Sequence, residues 1–296
     1  MATKTHAGTN FPTELVNQMF NAVGGHSALA KLSAQKPIPF AGESVFVFSA
    51  AGEASIVGEG DNKPAGDATV APVVIRPIKF VYQHRVSDEF VYNAESKMQY
   101  LSVFADGFAK KIARGLDIAA MHGINPADLS DASFKATNSF DGLVSNTVTY
   151  AAANIDANID SAIQMVIADG GEVNGIAMSP AAGSAMAALK ANGAPQYPEF
   201  RFGQNPEAFY GMASDVNGTV STKGSATGSD TDHVIVGDFA NAFRWGFAKD
   251  IPMEVIQYGD PDGLGDLKRT NEVVLRAEAY IGWGILNADA FARVKA

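Results

Sequence analysis

The chain has 296 residues, of which 47% are hydrophobic and 18% charged, so it can bury a substantial core and is neither disordered nor fibrous. Its net charge of -10 argues against a protein that wraps nucleic acid tightly, because the phosphate backbone is itself polyanionic. The lack of cysteine excludes disulfides, thiolate catalysis and cysteine-based metal sites. No apolar run reaches the roughly 20 residues of a membrane helix, so we expect no membrane partner.

The first 42 residues are predicted to form an N-terminal arm rather than a domain. A short amphipathic stretch over residues 15–20 is stopped by Gly24-Gly25, and so short a helix needs a neighbour to hold it. Residues 36–39, Lys-Pro-Ile-Pro, then force extended backbone, because proline disfavours the helical region for itself and its predecessor.

Residues 43–84 show the two-residue periodicity of β-strands and predict a long β-hairpin. Valines and phenylalanines alternate over 45–48, and a second apolar series occupies 73–82, beyond a middle rich in glycine and aspartate. The tip at 58–66 is polar and turn-forming, so we expect the hairpin to project from the core. Because an isolated two-stranded ribbon is marginally stable, it should lie on another subunit.

The next segment predicts one long helix. Ser87-Asp88 is an N-cap signal, and Gly123 supplies the C-terminal stop. Between them apolar residues recur three or four positions apart, at Val91, Ala94, Met98, Leu101, Phe104, Ala105, Phe108, Ile112, Leu116 and Ala119. Such a helix, at ~1.5 Å per residue, would be a rod of about 50 Å, which suits a structural spine.

The remaining chain mixes helices and strands. Residues 159–168 and 179–193 predict two helices separated by a short buried strand at 175–178, which is typical of mixed α/β packing. A surface loop rich in glycine, serine and threonine is expected at 217–232. Five strand segments follow, at 233–236, 243–248, 252–258, 271–281 and 285–294. The elements together predict an α+β fold.

No motif for a nucleotide site, a catalytic triad or a zinc site is present, and no cofactor is expected. Scattered histidines are interpreted as loop or surface residues; they are His6, His26, His84, His122 and His233. A set of basic residues on the predicted long helix is interpreted as a solvated face rather than a nucleic-acid stripe; it comprises Lys97, Lys110, Lys111 and Arg114.

Asp260, Asp262 and Asp266 form the strongest metal candidate, because three carboxylates close together on irregular backbone offer oxygen ligands to Ca²⁺. The fit to an EF-hand loop is poor, since Asn271 stands at the twelfth position, where a glutamate is needed. We therefore favour a solvated acidic turn over a calcium site.

Several segments carry a resemblance to a known family. Those near the hairpin are Glu59-Gly60 with Pro64, Val74-x-x-Pro77-Ile78-Lys79-Phe80 and Val86-Ser87-Asp88-Glu89-Phe90. Those near the end are Arg276-Ala-Glu-Ala-Tyr280 and Leu286-Asn-Ala-Asp-Ala290-Phe291. With the element order, they resemble a tailed-phage major capsid protein of the Hong Kong 97 fold. The resemblance covers nearly the whole chain, and its specificity lies in order and spacing.

The resemblance implies an α+β, Hong Kong 97-like capsid fold with five segments. These are an N-terminal arm (1–42), an extended β-hairpin loop (43–84), a peripheral domain with its spine helix (85–140), an axial α/β domain (141–249), and closing β-strands of the peripheral domain (250–296). It implies self-assembly into hexamers and pentamers that form an icosahedral shell around packaged double-stranded DNA, which is contacted only weakly.

The resemblance also implies where the protein works and with what. The subunit would assemble in the host cytoplasm and reside in the virion. Portal and decoration proteins are expected partners. Some relatives carry an extra N-terminal scaffolding domain, whereas this sequence begins almost directly at the arm. Assembly should then use a separate scaffold protein, or none.

Some relatives form isopeptide bonds between a loop lysine and an asparagine of the peripheral domain, helped by a glutamate. Lys63 at the hairpin tip, Asn271 in the terminal strand region and Glu278 have a spacing similar to theirs. A buried glutamate can take the lysine proton and leave a neutral amine to attack the amide. Because most of the family does not cross-link, we favour a turn lysine and a strand asparagine without covalent chemistry.

Two alternatives stay open at this point. An encapsulin-type nanocompartment shell resembles the same fold but has a much shorter extended loop, so the long hairpin favours the phage interpretation. A soluble α/β enzyme would need polar groups converging in one pocket, and the missing motifs count against it.

Overall fold

In the described residues, a four-stranded β-sheet, a six-stranded β-sheet and one long helix form the body of the subunit, and two further pairs of strands form separate two-stranded ribbons. The computed structural model describes residues 26–51, 55–63, 65, 67–89, 94–221, 232–249 and 253–296. The amphipathic stretch predicted at 15–20 and most of the loop predicted at 217–232 lie outside these residues. None of the helices in the described ranges combines the length and the apolar character that crossing a bilayer needs.

The helices of the described residues are α1 (Ala28–Leu32), α2 (Ala94–His122), α3 (Phe140–Leu143), α4 (Ile155–Ala168), α5 (Pro180–Ala188) and α6 (Leu267–Thr270). The strands are β1 (Glu43–Ala51), β2 (Asp67–Ile75), β3 (Ile78–Ser87), β4 (Thr147–Thr149), β5 (Gly175–Met178), β6 (Lys190–Ala191), β7 (Ala194–Pro195), β8 (Ala208–Phe209), β9 (Met212–Val216), β10 (Asp232–Gly237), β11 (Phe243–Lys249), β12 (Met253–Ile256), β13 (Glu272–Ile285) and β14 (Phe291–Lys295).

The predicted hairpin is confirmed in its first two strands and wrong in its last part. Strands β1 and β2 pair antiparallel along their whole length, from Glu43 opposite Ile75 at the base to the far end. Strand β3 instead pairs with β13 along its whole length. Pro77 separates β2 from β3 and cannot donate to a ladder, so the chain changes sheets there. The periodicity identified β3 as a strand but carried no information about its partner.

The first sheet centres on β13, a strand of 14 residues. Strand β3 pairs with β13, and so do β11 and β12. Helix α2 packs on this sheet, and the predicted apolar residues whose side chains are described, from Leu101 to Ala119, are buried. Strand β11, whose residues were predicted to belong with the axial segment, is hydrogen-bonded to β13 in this sheet.

The second sheet has six strands in the order β4-β14-β10-β5-β9-β8. Its core is separate from the first and includes buried apolar residues of α4 and α5. The short strand predicted at 175–178 is confirmed, and all four of its residues are buried. The last strand, β14, was expected among the closing strands of the peripheral domain, but it pairs with β10 and β4 in this sheet.

Helix boundaries follow local signals where these are strong. Helix α2 ends where predicted, since Gly123 has a φ of +63° and donates its N–H to Ala119 O at 3.0 Å. Of the predicted Ser87-Asp88 N-cap, Ser87 is the last residue of β3 and Asp88 directly precedes a helical residue, Glu89; residues 90–93 lie outside the described ranges. Helix α5 ends at Ala188, earlier than predicted, because Asn192-Gly193 forms the two-residue turn between β6 and β7.

The described part of the predicted arm packs inside the subunit instead of leaving it. Residues 26–38 form α1 and an extended segment that runs beside β11. The N–H groups of Lys36 and Ile38 donate to carbonyls of β11, at 2.9 and 3.2 Å. Gly246 is required there, because a Cβ at that position would lie 1.8 Å from Lys36 O.

Candidate assembly surfaces and internal anchors

The hairpin presents an apolar face that the subunit leaves uncovered. Phe46 lies opposite Pro72, and Ser44 lies opposite Val74, so these residues share one face of the ribbon. The exposed fractions are 70% for Phe46 and 50% for Val74. Val70 on β2 is also more than half exposed. Contiguous exposed apolar surface marks an interaction site.

The base of the hairpin is fixed to the first sheet. Ile75 is fully buried against β13, where Gly282 and Gly284 leave room for its side chain. Glu43 Oε2 lies 2.9 Å from Arg244 Nη2, a charge contact that is not aligned as a hydrogen bond. The described residues of the tip, 55–63, are exposed. The hairpin is therefore held at one end and free of its own subunit at the other.

Asp117 on α2 anchors the start of α1. Its carboxylate accepts hydrogen bonds from the Ser27 hydroxyl at 2.5 Å, from the N–H groups of Ala28 and Leu29, and from the Thr219 hydroxyl at 2.7 Å. Burial raises the pKa of Asp117 to about 6, even though all four donors favour the charged form. This contact ties the start of α1 to the middle of α2.

A second buried cluster connects the end of α2 with the six-stranded sheet. Arg293 Nη1 on β14 donates to Asp141 of α3 and, at 3.1 Å, to Asp232 Oδ2 of β10. His122, the last residue of α2, has Nδ1 3.3 Å from Asp141 Oδ2, and its Nε2–H donates to Thr219 O at 2.9 Å. The interpretation of His122 as a loop or surface residue is wrong, because only 3% of it is exposed.

The pKa values of the two carboxyl groups in this cluster are shifted in opposite directions. Burial raises the pKa of Asp232 to about 7, and the neighbouring Asp141 carboxylate adds to that shift, while Arg293 opposes it. The pKa of Asp141 is lowered: burial opposes this, but His122 and Arg293 outweigh it. For His122, burial works against the charge, yet contact with Asp141 leaves its pKa raised. Asp141 therefore carries the negative charge, and Asp232 is the carboxyl group that takes up a proton as the pH falls through about 7.

The cluster stabilises the fold and is not arranged as a reaction centre. His122, Asp141 and Asp232 could supply metal ligands, since their ligand atoms lie within 4.8 Å of one another. The guanidinium of Arg293 already bonds both carboxyls, however, so the protein supplies the cation. The four side chains are at most 10% exposed, which keeps a substrate from reaching them.

The acidic loop that was the calcium candidate is organised by Arg85 of β3. Its Nε and Nη2 donate to the two oxygens of Asp262 at 2.7 and 2.5 Å, and Nη2 lies 3.5 Å from Asp260 Oδ1. Asp266 does not contact Arg85 in this way; it is the N-cap of α6. The guanidinium occupies the place of a cation between Asp260 and Asp262, so this acidic turn has an internal counter-charge instead of being merely solvated.

The three residues of the cross-linking hypothesis are not brought together within one subunit. Lys63 is exposed on the hairpin. Asn271 precedes β13, and Glu278 lies inside that strand, so at ~3.4 Å per residue they are about 20 Å apart. Glu278 is paired with Lys79 Nζ at 2.6 Å. The cross-linking hypothesis stays a prediction.

The basic residues of α2 lie where the sequence places them, on the solvent side. Lys110, Lys111 and Arg114 are exposed, and Lys110 pairs with Asp106 one turn earlier at 2.9 Å. The side chain of Lys97 lies outside the described residues.

Sequence reasoning missed Asp117 and the buried charge cluster for a common reason: their partners are far away in the chain. Ser27 and Asp117 are 90 positions apart, and Asp141 and Arg293 are 152 apart. One local signal existed for Asp117. Apart from Asp117, residues 116–121 are all apolar, and they span more than one helical turn. The helix is therefore buried on every side there, and the aspartate must be buried with it.

Known proteins with similar sequences and structures are phage capsid proteins. The family model of the phage capsid family matches residues 7–296. A solved structure from Mycobacterium phage Ogopogo is 32% identical, with a TM-score of 0.79 over 91% of this chain and 92% of that one. One from Gordonia phage Cozz is 27% identical, with a TM-score of 0.73 over 91% and 86%. No curated protein matches the chain.

A more distant likeness supports the fold alone. The capsid of a native GTA particle, computed with C5 symmetry, is 15% identical and gives a TM-score of 0.57 over 100% of this chain and 94% of that one.

A two-sheet subunit with a long helix and an uncovered apolar hairpin has the build of a capsid shell subunit. The chain belongs to the phage capsid family. It is a major capsid protein with the Hong Kong 97-like fold, a structural component of the phage virion and not an enzyme.

Proposed function

We propose that this capsid protein assembles head-to-tail into hexamers and pentamers, and that these close an icosahedral shell around packaged double-stranded DNA. The observation that carries the proposal is the uncovered apolar face of the β1–β2 hairpin. A two-stranded ribbon of nine residues in each strand is marginal in water by itself. Covering its apolar face on a neighbouring copy would stabilise both the ribbon and the shell.

We assign each of the two large sheets to a separate domain. We assign the extended loop to residues 43–75, since β3 belongs to the first sheet. The first sheet with α2 would form the peripheral domain. The six-stranded sheet with α4 and α5 would form the axial domain around capsomer centres, and it gains β14 and loses β11 relative to the predicted boundaries of 141–249.

The partners beyond the subunit itself follow from charge and from the family. A net charge of -10 suits a container that holds DNA without gripping it, with attraction confined to local basic residues such as Lys111 and Arg114. Assembly would take place in the host cytoplasm, with portal and decoration proteins joining the shell. An encapsulin-type shell is disfavoured by the length of the hairpin.

The test is a pair of substitutions on the hairpin face. Phe46→Asp places a charge where the proposed contact needs an apolar group, and Phe46→Leu keeps the site apolar. We expect the wild-type chain and Phe46→Leu to form capsomers and shells, and Phe46→Asp to remain a folded monomer with an unchanged circular dichroism spectrum. Size exclusion and negative-stain electron microscopy separate these outcomes. Shells from Phe46→Asp in wild-type yield would overturn the role of the hairpin.

A further inference from the structure

A groove in the six-stranded-sheet domain carries the chemistry of a binding site. Its floor is apolar and includes Ile159 and Ile163 of α4, Met186 of α5 and Met212 of β9. The volume of the groove is about 190 Å³, somewhat larger than the ~150 Å³ cavity that admits a benzene ring. We call it the axial groove. With this volume, the axial groove is large enough to hold one aromatic side chain.

The walls and rim of the axial groove add aromatic and acidic groups. Tyr197 and Tyr210 line it, and Tyr210 is 80% exposed. Asp156 and Asp160 stand at its α4 side. In the described part of the chain neither carboxylate pairs with a cation. Apolar floor, tyrosine walls and carboxylates together suit a ligand that joins an aromatic ring to a guanidinium.

The same domain displays a group of that composition. Arg201 lies over the ring of Phe202, with its guanidinium carbon 5.1 Å from the ring centroid. Phe202 is 92% exposed, and its φ of +59° is a left-handed conformation that is strained for an aromatic residue. Arg201 and Lys190 are the only basic residues between 141 and 221. We call Arg201 with Phe202 the knob.

The knob does not fill the groove of its own subunit, since Phe202 is almost fully exposed while the groove is open. A closed ring of identical subunits requires a heterologous contact, in which one patch of each copy meets a different patch on the next. The knob and the axial groove are two different patches with complementary charge and polarity. They lie on the domain that the proposed function places around the capsomer centre.

We propose that, around each capsomer, the Arg201–Phe202 knob of one subunit seats in the axial groove of the next copy. Phe202 would cover the floor at Ile159 and Ile163, and Arg201 would bond Asp156 or Asp160 at the rim. This inference rests on the proposed ring assembly and names the contact that closes the ring.

The absence of cysteine makes a direct test clean. Phe202→Cys with Ile163→Cys in one full-length chain should form disulfides only between neighbouring copies. After assembly and oxidation, a non-reducing gel should give a ladder of covalent multimers up to pentamer and hexamer, and a reductant should collapse it to one band. Each single variant should stay monomeric on the gel, because a ring does not bring two copies of the same patch together.

A charge exchange provides the second measurement. We expect Arg201→Glu and Asp160→Arg each to lower the yield of capsomers by at least about tenfold, and the double variant to restore it. Lys190→Glu makes the same charge change in the same domain and should assemble like the wild type.

The two proposals fail differently. Shells that form from the double-cysteine chain without a ladder, or an Arg201→Glu chain that assembles as well as Lys190→Glu, would overturn the knob-and-groove contact and leave the proposed function intact. A wild-type chain that forms no capsomers would overturn the proposed function, and the inference with it.

Discussion

Replacing Asp232 by asparagine should remove a large part of the pH dependence of subunit stability. The folded pKa of Asp232 is about 7, whereas an aspartate in an unfolded chain has a pKa of ~3.9. Because the folded value is the higher one, the folded state binds the proton more tightly. The stabilisation is present at low pH and is lost as the pH rises through about 7.

The size of the effect follows from these two pKa values. Between pH 8 and pH 6, Asp232 should stabilise the folded subunit by about 1 kcal/mol, and Asp117, with its pKa of about 6, by a smaller amount in the same direction. His122 adds to the same trend, since its pKa is also raised. In Asp232→Asn the side-chain amide can still donate to Asp141 and accept from Arg293, as the protonated acid does.

Urea unfolding of the unassembled subunit, followed by tryptophan fluorescence, measures this. With a slope of ~3 kcal/mol/M, the wild-type midpoint should be about 0.5 M higher at pH 6 than at pH 8, and the variant should lose most of that difference. Asp289→Asn, at an exposed site, should behave like the wild type. Equal wild-type midpoints at the two pH values, or an unchanged difference in Asp232→Asn, would refute the reasoning.

Three further predictions concern the other contacts. Gly246→Ala should destabilise the subunit by about 3–5 kcal/mol in urea, because its Cβ would displace Lys36 and break the pairing beside β11; unchanged stability would contradict this. Millimolar CaCl₂ should leave the Tm unchanged, since Arg85 neutralises Asp262, and a clear rise in Tm would restore the calcium hypothesis. Mature particles should run on a denaturing gel as one band of single-chain mass, whereas a ladder that Lys63→Arg abolishes would establish cross-linking.

The elements that local sequence fixes were predictable. The strand at 175–178 and the end of α2 at Gly123 are both predicted, because a short apolar run between turn residues and a left-handed glycine are local signals. Asn192-Gly193 is a strong short hairpin signal, but it is also a helix-stop signal, and the prediction of a helix end there is wrong. Its neighbours are too short and too exposed to show strand periodicity.

Strand partners and buried charges depend on contacts that a local pattern does not contain. The exchange of β11 and β14 between the two sheets, and the pairing of β3 with β13, each join segments far apart in the chain. The same holds for Arg85, whose carboxylate partners lie more than 170 positions away. An acidic turn, a lone buried aspartate and a distant arginine are unremarkable in sequence and become sites only when the fold brings them together.

A cryo-electron microscopy reconstruction of particles assembled from the full-length chain would show whether the hairpin makes the proposed contact. We expect closed shells of hexamers and pentamers, in which the hairpin of each subunit lies on a neighbour with Phe46, Pro72 and Val74 covered. Particles in which this face is open to solvent, or a chain that stays monomeric with and without a scaffold, would contradict it.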